Sequence, residues 1–252
     1  MSEPLLILTY HSIDESGSVL STDPAVFERQ MAALAQAGYR GAGLAEVVDH
    51  ANRFGSWPAR TVAITFDDGY RNNLSIAQPL LAKHGFTASL YLVTSYVGGV
   101  NDWEPPLAKL GERAIVSWQD VGALAEQGWD IGVHTRTHPR LAAISDLEAA
   151  DEILGARDDI ARELGQPAVT FAYPGGQVSA PAKALVEEHF VAGCTTVLRR
   201  AKATMPRHLL PRIEMFYFRD LGRFERLLAG GLGAYLAIRR CGRFVRGAVS
   251  RS

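Results

Sequence analysis

The chain has 252 residues, 47% of them hydrophobic and 21% charged, which fits one large α/β domain better than two small ones. Lysine plus arginine (26) and aspartate plus glutamate (27) nearly cancel, so no global field argues for nucleic acid. Two cysteines, Cys194 and Cys241, make neither a disulfide framework nor a thiolate zinc site, and no stretch approaches the ~18–20 apolar residues of a membrane span.

Short apolar runs alternate with amphipathic segments, the pattern of βα units. Leu5-Leu6-Ile7-Leu8 reads as a buried strand ending at Tyr10-His11. Asp23 or Thr22 caps a helix opening at Pro24, with Phe27, Met31, Leu34 and Ala35 on one face and Gly38 after it. A second helix covers 44–54, and Thr61-Val62-Ala63-Ile64-Thr65-Phe66 is a strand running straight into Asp67-Asp68-Gly69. Helix follows over 76–84, closed by Gly85, and then a strand over 88–93. Residues 95–117 are rich in Gly, Pro and charge, too long for an ordinary connection, and read as a functional loop. Helix resumes over 118–127 with Ser117 as its cap, and Trp129-Asp130-Ile131-Gly132-Val133 alternates as a strand ending at His134. A long helix over 146–164, a strand over 169–172, a helix over 180–189 and short strands near 191–197 and 209–213 follow. His11, Asp67, Asp68, His134 and Tyr173-Pro174 each lie just after a strand. Parallel strands closed into a barrel would gather all of them at its carboxyl-terminal mouth.

Asp68, His134 and His138 offer one carboxylate oxygen and two imidazole nitrogens, a donor set for a borderline divalent cation with room for water and substrate. Zinc fits first, with cobalt, nickel or manganese as alternatives. The His-x-x-x-His spacing does not mark a zinc-protease helix, because the preceding residues alternate like a strand and Pro139 pushes His138 out of the α region. Nor does a Glu follow His134 to act as base; Thr135 stands there. Asp67 answers this. Neighbours at a strand end diverge, so Asp68 binds the metal while Asp67 is the general base on an attacking water. His11, with a reference pKa of about 6.5, is the candidate for protonating the leaving group.

Thr65-Phe66-Asp67-Asp68-Gly69-Tyr70 and His134-Thr135-Arg136-Thr137-His138-Pro139 resemble the first two signature motifs of the polysaccharide deacetylase (NodB-homology) family. Phe171-Ala172-Tyr173-Pro174-Gly175-Gly176 is similar to its third motif, and Leu8-Thr9-Tyr10-His11-Ser12-Ile13 to a frequent opening. The resemblance spans roughly residues 5–215. It implies an irregular (β/α) barrel of about seven strands and metal-dependent removal of N-acetyl groups from amino-sugar glycans or of O-acetyl groups; with the length this makes a single domain, and the basic tail described below favours a lipid-linked sugar. It implies Asp67 as base, Asp68, His134 and His138 as metal ligands, and the backbone N–H of Tyr173 as an oxyanion donor. Many members carry an Arg in the third motif that tethers the base, and here Phe171 and Ala172 occupy that region. Arg212, in Leu210-Pro211-Arg212-Ile213, resembles the segment of the branch opening with Tyr-His-Ser and is expected to hold Asp67 instead. The family's late Leu-x-His motif is not evident; His189 ends a helix and His208 follows Pro206-Arg207 in a loop. Two further readings stay open: an amide hydrolase for a small cyclic amide or ureide on the same metal site, and a non-enzymatic carbohydrate binder.

Sugar sites present aromatic faces, and Trp103 and Tyr96 in the long loop, with Tyr70 and Pro174, are candidates to touch substrate. From Arg219 to the end, eight Arg face only Asp220 and Glu225, so an acidic body (1–218) carries a basic tail (219–252). If 234–249 is helical, Arg239, Arg240, Arg243 and Arg246 share one arc, largely opposite Ile238, Cys241, Phe244, Val245 and Val249. Such a helix, behind the hinge Gly230, Gly231 and Gly233, suits an anionic membrane surface or a partner, or docks on the acidic body. Met1-Ser2-Glu3-Pro4 lacks the basic region of a secretory signal, so the expectation is a cytoplasmic protein with peripheral contact at the inner face of the membrane.

Overall fold

The structure, a computed structural model, describes residues 3–103, 111–233 and 235. β1 (Leu6–Tyr10) leads into two short strands, β2 (Ser12–Ile13) and β3 (Ser21–Thr22), and α1 (Pro24–Gln36), β4 (Arg40–Ala42), α2 (Leu44–Phe54) and β5 (Thr61–Phe66) come next. A π-helical turn at Asn73–Ala77 runs into α3 (Gln78–Ala82), then β6 (Ser89–Leu92), α4 (Trp118–Glu126) and β7 (Asp130–Val133). α5 (Asp146–Ala150), a second π-helical turn at Asp151–Gly155 and α6 (Ala156–Leu164) follow without a break. β8 (Thr170–Ala172), α7 (Ala180–His189), β9 (Ala192–Leu198), β10 (Leu210–Glu214) and α8 (Leu221–Leu228) complete the order.

β1, β10, β9, β8, β7, β6 and β5 pair side by side in parallel, and β5 pairs back onto β1 from Leu6 with Val62 to Tyr10 with Phe66. Seven strands therefore close a barrel, as expected. Its irregularity comes from β4, which pairs with Thr61, Val62 and Ala63 on the edge of β5 that β6 takes up only at Thr65.

Local chemistry sets the helix ends. Asp23 accepts hydrogen bonds from the N–H groups of Ala25 and Val26, with Pro24 in the first turn. Ser117 with Asp120 and Ser145 with Glu148 form reciprocal capping boxes on α4 and α5. Alternation then divides the strands between two apolar clusters. Leu6, Leu8, Tyr10, Val62, Ile64 and Phe66 join Phe27, Met31 and Leu34 of α1 in the larger one, outside the ring. Ile7, Ala63, Tyr91, Ala172 and Cys194 join Leu44, Val47, Val48 and Ala51 of α2 in the other.

α2 has no side-chain cap of its own at Gly43. Ser89 and Asp130, at the starts of β6 and β7, supply it by accepting from Leu44 N (2.7 Å) and Ala45 N (3.2 Å). Asp130 also accepts from Ser89 Oγ and Thr170 Oγ1, and burial pushes its carboxyl pKa up. The helix is thereby seated at the amino-terminal end of the ring, opposite the mouth.

The helix expected over 76–84 begins earlier, through the π-helical turn, and β2, β3 and β4 were not foreseen. α8, at the start of the basic segment, buries Phe224 and Leu227 in the larger core. The predicted basic helix, apart from Tyr235, and Cys241 lie outside the described residues. No helix among the described residues is long and apolar enough to cross a membrane. A Cβ built on Gly132 of β7 would lie 2.5 Å from Tyr91 Cδ1 and 2.8 Å from Thr170 Oγ1, with no space to relax. Gly132→Ala should thus cost about 1–3 kcal/mol by overpacking, and an unchanged thermal midpoint would contradict this packing.

Candidate active site

Because the ring strands are parallel, the residues just past their carboxyl ends meet at one mouth. His11 follows β1, Asp67 and Asp68 follow β5, His134 follows β7 and Tyr173 follows β8. Asp67 N–H still donates to Tyr10 O (3.0 Å), continuing the β5–β1 ladder for one more residue. Asp68 then turns into the left-handed region (φ 73°), followed by Gly69 (φ 77°), which splits the two carboxylates onto different courses.

Asp67 is gripped by Arg212 of β10. The guanidinium donates Nη1 to Oδ1 at 2.7 Å and Nη2 to Oδ2 at 2.6 Å, a two-pronged pair. Its Nε donates to Thr195 O (3.1 Å) and Nη1 also to Thr65 Oγ1 (3.3 Å). Arg212 is only 1% exposed, so this ion pair is deep in the barrel. Burial alone would raise the Asp67 pKa; Arg212 above all, then His134, reverse this and hold it well below the usual carboxylate range.

Asp68, His134 and His138 form the second group, with one ligand atom from each lying within 4.8 Å of the others. Asp68 Oδ1 is 3.6 Å from His134 Nε2 and 3.7 Å from His138 Nε2, too long for hydrogen bonds. That spacing matches the ~3.4 Å between donors that each stand about 2.1 Å from a tetrahedral cation. His134 Nδ1–H donates to Ala172 O at 2.7 Å, which fixes the ring and leaves Nε2 facing Asp68. Burial lowers the His134 pKa to about 4, so the imidazole is neutral and able to ligate at pH 7. One carboxylate and two imidazoles suit a divalent cation of the zinc type.

His11 Nε2 lies 4.0 Å from Asp67 Oδ2. Burial lowers the pKa of His11, but Glu214, Asp68 and Asp67 together outweigh it and the net shift is upward. The backbone of His11 is pinned by Asn73, whose Nδ2 donates to His11 O at 2.8 Å. Neither Glu214 nor Asn73 was anticipated. The signal lay close by, since Asn72-Asn73 sits on the turn after the Asp-Asp-Gly run and Glu214 stands two residues beyond Arg212.

Three expectations change. The Tyr173 N–H donates to Cys194 O (3.0 Å) as part of the β8–β9 ladder, so it is not free to hold an oxyanion. Pro174 is buried, whereas Gly175 beside it is exposed. Tyr70 is 1% exposed and packed in the core, so it presents no face to a sugar. Its hydroxyl lies against Asp68 instead, and burial, then that carboxylate, raise the phenol pKa. Trp103 is half-buried, with its ring 5.5 Å from that of His138 and 4.9 Å from that of Tyr96, at the edge of the cluster.

Fold and site together describe a seven-stranded (β/α) barrel with an aspartate dyad and two histidines at its mouth. Residues 55–192, more than half of the chain, match the family model for polysaccharide deacetylase. A Bacillus subtilis (strain 168) protein named as a polysaccharide deacetylase, YxkH, is 25% identical over 212 residues, covering 84% of this chain and 71% of its own. Among solved structures, the Streptococcus pyogenes deacetylase PplD in complex with acetate superposes with a TM-score of 0.73 at 24% identity, covering 85% of this chain and 93% of that one. IcaB from Ammonifex degensii gives 0.75 at 21% identity, covering 92% and 98%. The chain belongs to the polysaccharide deacetylase family: it is a hydrolase of the class that removes acetyl groups from glycans.

Because the Asp67–Arg212 pair depresses the carboxyl pKa, its stabilisation is complete above about pH 4 and fades as pH falls further. Arg212→Met leaves a buried carboxylate unpaired and should cost about 3–5 kcal/mol in denaturant unfolding at pH 7. Adding Asp67→Asn to that variant should restore part of the loss. Equal midpoints for wild type and Arg212→Met would refute the pairing.

Proposed function

We propose that this chain is a divalent-metal-dependent deacetylase that hydrolyses the N-acetyl (or O-acetyl) group of an amino-sugar glycan or lipid-linked sugar. Asp68, His134 and His138 would hold the cation, zinc being the best match to the donors. When bound, it supplies Lewis acidity, polarising the acetyl carbonyl and acidifying the attacking water.

The observation that carries the reading is Asp67: a carboxylate kept ionised by Arg212, beside the ligand cluster and 4.0 Å from His11. Arg212 occupies both oxygens from one side, so Asp67 cannot rotate away and takes the proton of water in a fixed orientation. His11, its protonated form favoured by the carboxylates around it, delivers a proton to the departing nitrogen or oxygen. With Tyr173 N–H spent on Cys194, the backbone N–H of the exposed Gly175 nearby would be the donor for the tetrahedral oxyanion. Trp103 offers the aromatic edge for the sugar.

Acetate release from N-acetylated oligosaccharides, with metal content measured in parallel, tests this. Asp67→Asn should retain the metal and lose about 10²–10⁴-fold in rate, and His11→Ala should lower turnover without lowering metal content. Metal binding with no acetate from any glycan would favour instead a small cyclic amide or ureide as substrate.

The five arginines of residues 234–252, Arg239, Arg240, Arg243, Arg246 and Arg251, suit an anionic membrane surface, which would put the enzyme at the inner face of the membrane beside a lipid-linked sugar. Co-sedimentation with anionic liposomes should fall when 234–252 are removed and when salt is raised. Equal partitioning of both forms would end the membrane reading.

A further inference from the structure

The segment between the two histidine ligands has an unusual backbone. Thr135 (φ 69°) and His138 (φ 61°) both sit in the left-handed region, one of them β-branched and neither glycine. Such conformations persist only where the surroundings over-determine them. Within the segment, His138 N–H donates to Thr135 Oγ1 (3.0 Å). On one flank, the 3-10 turn Thr94–Tyr96 just past β6 takes hold, as Thr94 N–H donates to Thr135 O (3.1 Å) and Ser95 N–H to Arg136 O (3.0 Å).

The other flank is held by one carboxylate. Glu152 Oε2 accepts the N–H groups of Arg136 and Thr137, both at 2.8 Å, and Oε1 accepts Thr137 Oγ1 at 2.5 Å. These are the residues immediately before His138. Glu152 belongs to the π-helical turn Asp151–Gly155, and the same turn makes room for the segment's side chain. A Cβ on Gly155 would fall 2.6 Å from Arg136 Cζ, so only glycine lets that guanidinium lie flat on the helix. There Arg136 donates to Asp159 (Nε 3.1 Å, Nη2 3.2 Å) and Asp151 (2.9 Å), and Asp159 in turn accepts from Thr94 Oγ1 (2.9 Å).

We propose that Glu152 is a positioning residue: by accepting the Arg136 and Thr137 N–H groups it fixes the backbone that sets His138 against Asp68 and His134. It is not one of the three ligand residues, and acts through the chain that carries His138. The inference rests on the metal reading of the Asp68, His134 and His138 cluster.

The test is zinc affinity of the full-length, metal-free protein, read by competition with a chromophoric chelator and by calorimetry, with the thermal midpoint of the same metal-free samples alongside. Glu152→Ala should weaken zinc binding about 10–100-fold, the usual effect of removing a group that orients a ligand. Glu152→Gln, whose amide oxygen still accepts both N–H groups, should stay close to wild type. A purely structural role would lower the metal-free midpoint and leave the affinity unchanged, which would overturn the proposal. Equal losses in the Ala and Gln variants would overturn it too, since hydrogen-bond geometry would then not be the cause. Should Glu152→Ala not fold, Glu152→Asp, one methylene too short to reach, is expected to show the same weakened affinity, and wild-type affinity there would overturn the proposal. A wild-type chain that takes up no divalent cation overturns the metal reading itself.

Discussion

The site is organised around one buried ion pair, Arg212 with Asp67. Sinking a guanidinium and a carboxylate into a barrel costs several kcal/mol per ion before their attraction repays it. Here two prongs meet the carboxylate, and Thr195 O and Thr65 Oγ1 take two further hydrogens, which offsets that cost. A group held this firmly keeps a fixed charge and aim. Its neighbour Asp68, one residue along, escapes the pair only because the backbone turns left-handed between them.

This division of labour explains why two adjacent aspartates are needed. The first remains in register with β1 and points at the arginine; the second is thrown toward the histidines. Supporting contacts arrive from every side of the mouth. Ala172 orients His134, Asn73 steadies the backbone of His11, Tyr70 backs Asp68, and the helical rod after β7 braces the segment leading to His138. The chemistry is concentrated in a few side chains, and much of the rest of the mouth serves their placement.

How far the sequence reveals this depends on whether a feature is local. Runs such as Thr61–Phe66 and cap pairs such as Ser117 with Asp120 carry their own signal, and the strand ends they define bring His11, Asp67, Asp68 and His134 together. Arg212 came from resemblance, not from pattern. β4 was hidden because Arg-Gly-Ala has neither a run nor an alternation, and its pairing depends on the edge that β5 leaves open. The bond from Tyr173 N–H to Cys194 O was not legible either, because a ladder's last hydrogen bond depends on the partner strand and cannot be read from composition. Tyr70 looked like a sugar platform, yet its bridge to Ile115 turns the ring inward. Glu152 lies fourteen residues from His138, where nothing local links the two.

The arginine and its aspartate are separated by 145 positions, and β10 is also the strand that joins β1 to seal the ring. Geometric closure and pairing of the buried Asp67 charge therefore depend on the same strand. A chain emerging from the ribosome has already made its aspartates, yet until β10 arrives Asp67 has no counter-ion and must stay hydrated. Contacts of such long range fold slowly. If Asp67 is the base proposed above, its charge and aim are set only once the strand that carries Arg212 has joined the ring.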